Sequence, residues 1–240
     1  GFGSGGGVGA SGEDGGGSAP NRFLCALLSV ARVEPRAFCR TMGEEAVYME
    51  GGGPLRVAAV SALISLVKTR SAALEAELPL VVEAVMKPLD PSVPSLREGC
   101  LSASTAALRE LVKRYPMMHF NQATQRLSVG TVEGVVLLYD LRTATKWRIL
   151  QGHEHSVSAL AFSPCGEHVA SFSRGDGTLR WWLSGSTGIF GFLGLQGSCQ
   201  HVTKLETLPP HGLPVVIEWT SPTSVLLTCN RQAFGPFSKA

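Results

Sequence analysis

The chain has 240 residues, 44% of them hydrophobic and 17% charged, with 21 basic and 19 acidic side chains and a formal charge of +2. That balance excludes a disordered acidic tail and a strongly basic nucleic-acid binder, and both signs are spread through both halves, so nothing steers the chain toward nucleic acid or an anionic membrane. No run reaches the roughly 18 consecutive apolar residues that read as a membrane span. The start lacks a basic segment, an apolar core and an initiating Met, so it is no signal peptide and the chain reads as a fragment of something longer. Cys25, Cys39, Cys100, Cys165, Cys199 and Cys229 are scattered without a C-x-x-C pair. They read as small buried hydrophobes in a reducing compartment.

Residues 1–19 contain ten glycines and almost nothing to bury, and are expected to be a flexible linker. The G-x-G-x-x-G at Gly1, Gly3 and Gly6 has no strand before it and no helix opening after it, so it carries no dinucleotide reading. Residues 20–116 are helical in period. Two helices are expected over Asn21–Val33 and Pro35–Tyr48, separated by the Glu34-Pro35 break. A third stripe runs from Leu55 to Val67, a fourth from Leu78 to Met86 behind Pro79, and a fifth from Leu96 to Val112. Five helices with short Pro or Gly loops fit stacked antiparallel pairs of an α-solenoid of the HEAT/armadillo kind, or a compact five-helix bundle.

Over residues 117–240 the period switches to two. Strands are expected at His119-Phe120, Arg126–Val132, Val135–Leu141 and Lys146–Leu150, then at Ser156–Ser163, His168–Ser173, Thr178–Ser184 and Gly188–Leu195. Aligning Glu133-Gly134 with Asp176-Gly177 places Tyr139 opposite Trp182 at a period of 43 residues. Four strands at that period are the mark of a propeller blade. An apolar-poor loop over Gln196–Pro214 and a strand pair, Pro214–Glu218 with Ser224–Cys229, follow.

The second unit resembles a WD repeat: Gly152-His153 opens it, Phe162–Gly166 and Asp176-Gly177 are its turns, and Trp182 closes it. The first unit ends in Tyr139-Asp140, a conservative form of the Trp-Asp pair. His153, Ser171 or Ser173, Asp176 and Trp182 are the residue types that can form a buried chain of hydrogen bonds through a blade. Ser, His and Asp together would suit a hydrolase triad, but no G-x-S-x-G elbow accompanies them, so the role expected is structural and no catalytic residue is assigned. His153-Glu154-His155 lacks metal-site spacing, and Arg174-Gly175-Asp176 falls in a blade turn. No metal or cofactor is expected. Trp181 points opposite to Trp182 by strand alternation, so one of the two is expected to be partly exposed.

Helix-to-blade order and the phrase Leu138–Thr143 resemble the C-terminal region of the rabconnectin beta subunit family of WD-repeat proteins. The fold class expected is α+β multidomain, an α-solenoid segment followed by a partial WD-repeat β-propeller. The glycine-rich start and the closing GPFSKA depart from the family. Two blades and a possible third fall short of the roughly four to eight that close a ring. The resemblance implies a non-catalytic, cytoplasmic scaffold that regulates vacuolar proton-ATPase assembly and vesicle acidification, peripheral on vesicles or endomembranes. Its implied partners are a large rabconnectin alpha-type WD-repeat subunit and proton-ATPase subunits, with no nucleic acid. The alternative is a generic WD-repeat and helical-repeat adaptor in vesicle trafficking or ubiquitin ligase complexes. Tyr139, Asp140, His153, Ser171, Ser173, Asp176 and Trp182 are expected to hold the fold. Trp181, Arg142, Lys146 and Arg148 are the candidate partner contacts.

Overall fold

The computed structural model describes residues 53–68, 72–185 and 199–239. The expected linker, the two helices expected over 21–33 and 35–48, and the strand expected over 188–195 lie outside these residues.

Among the described residues, four helices come first: α1 (Gly53–Val67), α2 (Ala72–Ala76), α3 (Leu78–Met86) and α4 (Pro94–Arg114), with a 3-10 turn at Lys87–Leu89. Pro sits in the first turns of α3 and α4, where its missing N–H removes no helical hydrogen bond. Lys113 and Arg114 occupy the last turn of α4, against the negative end of its dipole. Pro116 disfavours helical backbone at Tyr115, which is extended (φ −111°, ψ 106°), and the chain turns there into the first strand. The five-residue α2 is too short to show a period.

Three antiparallel meanders follow. Blade 1 is β1 (Met118–Asn121), β2 (Arg126–Gly130), β3 (Val135–Asp140) and β4 (Thr145–Gln151). Blade 2 is β5 (Ala159–Phe162), β6 (His168–Ser173), β7 (Thr178–Leu183) and β8 (Cys199–Lys204). The third sheet is β9 (Val215–Ser221), β10 (Ser224–Cys229) and β11 (Gln232–Ser238). Two of these strands differ from expectation. β8 lies in the segment read as a loop, because Cys-Gln-His-Val-Thr-Lys is half exposed and has little apolar pattern; its pairing with β7 decides it. β11 contains Pro236, which argues against a central strand but is admitted at a sheet edge.

The layers stack so that each covers the next. Val60, Leu63, Val81, Val85, Leu108 and Leu111 of the helices share one core with Leu127, Val129, Leu137 and Tyr139 of blade 1. The other face of blade 1 offers Val136, Leu138 and Leu150, which meet Leu160, Phe162, Val169 and Trp182 of blade 2. The far face of blade 2, with Ala170, Phe172, Leu179 and Trp181, meets Ile217, Val225, Leu227 and Phe234 of the third sheet. The helical segment therefore lies on blade 1 where a preceding blade would lie, and the two do not have separate cores.

Trp181 and Trp182 are both fully buried, at 0% exposure, on opposite faces. The expectation that one is partly exposed fails because blade 2 is covered on both sides. Trp181→Ala is expected to lower the unfolding free energy in urea by about 3–5 kcal/mol. Ile149→Ala, on the exposed side of β4, should change it by less than about 0.5 kcal/mol.

Candidate functional site

The side chains that the sequence singles out in blade 2 meet in one chain of hydrogen bonds. Asp176 stands in the β6–β7 turn, held by the backbone N–H of Thr178 (3.2 Å), the Thr178 hydroxyl (2.9 Å) and the backbone N–H of Glu154 (3.1 Å). Its Oδ2 lies 3.1 Å from Nδ1 of His153, and His153 Nε2 lies 2.8 Å from Ser171 Oγ. The Trp182 indole N–H donates to the same Oγ at 2.7 Å. The carboxylate assigns the tautomer. It can only accept, so Nδ1–H donates to it, Nε2 of the neutral ring accepts from the Ser171 hydroxyl, and the Ser171 oxygen accepts the Trp182 N–H.

Gly134 of blade 1 helps to place this loop. Its φ is +81°, and a Cβ there would collide with the His153 carbonyl oxygen, so the β2–β3 turn seats directly beneath the His153 backbone. Burial pushes the His153 imidazole below its ordinary value, against the opposing pull of Asp176. For Asp176, burial acts upward, but the hydrogen bonds from Thr178 and Glu154 and the neighbouring His153 outweigh it and hold the carboxyl below the ordinary range. Burial thus favours a neutral imidazole between the carboxylate and the hydroxyl. The Ser171 oxygen is sealed by Trp182 and fully buried, so it has no face to offer a substrate. The arrangement ties four segments of one sheet together, and its chemistry is structural.

Ser173 does not join the chain. It pairs with Thr178, two residues nearer the turn than Ser171, and its hydroxyl donates to the His155 carbonyl at 3.3 Å. Tyr139 and Asp140 stand apart from it too. In blade 1, Tyr139 occupies the place of Trp182, but Val129 occupies that of Ser171, so no hydroxyl awaits the ring. The Tyr139 hydroxyl instead donates across the layer to Glu83 of α3 at 3.2 Å, and burial, then Glu83, pushes the phenol well above its ordinary value. Lys146 reaches the same Glu83 oxygen at 2.8 Å. Asp140 is closed locally by Arg142, through its backbone N–H (2.9 Å), Nε (3.0 Å) and Nη2 (2.6 Å).

Of the candidate partner contacts, Trp181 is buried and Arg148 is only 7% exposed. Arg148 is covered because β4 faces blade 2: its guanidinium lies 4.1 Å from the Trp147 ring centre and donates to the Leu183 carbonyl at 3.3 Å. Arg126 lies over the same ring at 3.3 Å. Lys146 and Arg142 are exposed but engaged with Glu83 and Asp140. The sequence reading missed two ties between the blades. Asn121 donates to the Ser163 carbonyl at 3.1 Å, and His119 Nδ1 accepts the Phe162 N–H at 3.3 Å. The His-Phe-Asn run of β1 was visible only as a strand.

Among the described residues, no group of three His, Cys, Asp or Glu could hold a metal ion, and no helix is long and apolar enough to cross a membrane. Cys100, Cys165, Cys199 and Cys229 are free thiols.

Residues 144–182 match the WD domain, G-beta repeat family. The matched stretch begins at β4 of blade 1 and ends in β7 of blade 2, so this WD repeat straddles two sheets and its network closes at Trp182. The solved structures that show similarity include the following three chains. Hsv2 of Kluyveromyces lactis is 16% identical over 48% of this chain and 38% of its own, with a TM-score of 0.40. The β-propeller domain of Cps50 (Swd1) from Myceliophteria thermophila is 18% identical over 47% of this chain and 33% of its own, with a TM-score of 0.33. A chain of the mitotic checkpoint complex is 20% identical over 46% of this chain and 29% of its own, with a TM-score of 0.34. The chain thus spans well under half of the length of each.

Ser171→Ala leaves both the indole N–H and His153 Nε2 without a partner, and is expected to cost about 1–3 kcal/mol in urea unfolding, more than Ser173→Ala. Burial also holds His119 and His168 below the ordinary imidazole value. As pH falls through about 6.5, the unfolded chain takes up protons that the folded chain refuses, so stability drops toward the lower folded value. The thermal midpoint should therefore fall between about pH 7 and pH 5. His119→Asn, which removes one of these groups, should shrink that fall.

Proposed function

We propose that this chain is a non-catalytic scaffold that partners a large rabconnectin alpha-type WD-repeat subunit and regulates assembly and activity of the vacuolar proton-ATPase. In this reading it is cytoplasmic and peripheral on vesicles or endomembranes. Its helices are the end of an α-solenoid that runs into WD-repeat blades, residues 20–116 and 117–240 serving as the two segments.

The observation that carries the scaffold part is the shared core of helices and blade 1, with Tyr139 and Lys146 both bound to Glu83. Such a join fixes a helical surface and a blade rim in one orientation, which suits the simultaneous grip of two partners. The WD repeat at residues 144–182 supports protein binding as the general class. The proton-ATPase part rests on the order of helices and blades and on the phrase Leu138–Thr143.

Affinity purification of the parent protein in mild detergent, followed by mass spectrometry, tests it. Proton-ATPase subunits of the cytosolic ATP-hydrolysing sector, together with a large WD-repeat partner, are the expected companions. Coat or ubiquitin ligase components without the pump would overturn the pump function and favour the general-adaptor reading.

A further inference from the structure

Beside the join of helices and blade 1 lies a groove of about 560 Å³. One wall is α4, whose Leu101, Leu108 and Val112 recur at helical spacing; the other is blade 1, with Phe120, Leu127 and Leu141. Leu101 is 49% exposed, and Val112, Phe120 and Leu141 are half-buried, so the apolar lining is open to solvent. Arg97, Arg109 and Lys113 stand along the rim, and no carboxylate lines it. Arg97 is steadied by donating to the Arg142 carbonyl at 3.3 Å, while Asp140, the nearest blade carboxylate to that turn, is taken by Arg142.

We propose that this groove docks an acidic amphipathic helix of a partner protein. The occupant follows from three features of the surface. From Arg97 to Lys113, α4 runs about 24 Å, the length of a helix of about 16 residues. The α4 wall offers apolar side chains at helical spacing, which suits a second helix laid along it. The one-signed rim calls for carboxylates flanking the apolar stripe of the ligand. The chain's own apolar segment 21–33 carries Arg22 and Arg32 and no acid, so its charge matches the rim's own and does not complement it. The inference rests on the protein-binding reading above and names the kind of segment that one partner supplies.

The test is a selection on the full chain with a display library of helical peptides about 16 residues long. The library has a fixed leucine stripe and Glu, Lys, Gln or Ala elsewhere. Glu should be enriched over Lys beside the stripe. The best peptide, measured by fluorescence anisotropy, should bind at least about tenfold more weakly to Leu101→Asp and to the Arg109→Glu, Lys113→Glu double variant. All three positions are exposed, so an unchanged thermal midpoint verifies that the variants fold. Enrichment of Lys, an absence of enrichment, or equal binding to wild type and variants would overturn the proposal. Displacement of the peptide by a synthetic segment of residues 21–48 would also overturn it, by making the groove a seat for the chain itself. Co-purification of partners by the Leu101→Asp parent protein separates the two readings. Loss of peptide binding with all partners retained removes the groove as their dock and leaves the scaffold reading intact.

Discussion

Each of the two four-stranded blades has two apolar faces, and both must be covered. A strand with side chains alternating to the two sides buries only half of them against one neighbour. Blade 2 meets the requirement between blade 1 and the third sheet, with Trp182 on one side and Trp181 on the other. Blade 1 has blade 2 on one side only, and the helices cover the rest with Leu63, Val85, Leu108 and Leu111. The helical segment is thus the cover for the first blade, and the stacking of layers places everything else.

That placement explains why the two blades are closed by different chemistry. In blade 2 the tryptophan finds a serine on its own sheet, and a histidine and an aspartate complete the chain across the turns. In blade 1 the serine position is Val129, and the phenol of Tyr139 turns outward to Glu83 on α3. A sheet backed by another sheet is sewn internally. A sheet backed by helices is sewn to them, and the second ion pair to Glu83, from Lys146, is part of that seam. The seam fixes α4 beside blade 1, and the cationic apolar groove is the consequence on the surface.

The links between blades have the same logic at their edges. Arg126 and Arg148 flatten against Trp147 and reach the carbonyls of Ser184 and Leu183, while Asn121 reaches the Ser163 carbonyl. Each donates to a backbone carbonyl of the neighbouring blade and so ties one layer to the next. Long side chains that look like solvent-facing charges in the sequence are here the stitches between layers.

Strands β1 to β7 and helices α1, α3 and α4 were legible from the sequence, because period and Pro or Gly punctuation are local properties. The pairing of His153, Ser171, Asp176 and Trp182 was legible as a set of residue types, though not as a choice of Ser171 over Ser173, which depends on the register of β6 with β7. Strand β8 was not legible, since its few apolar residues leave hydrogen bonding to β7 as the deciding force. The burial of Trp181 and Arg148 was decided by which layer stands opposite each face. By itself the sequence determined the elements, their order and the kinds of residue that could meet. Only the tertiary structure decided which faces are covered, because cover comes from residues distant in the chain that no local pattern encodes.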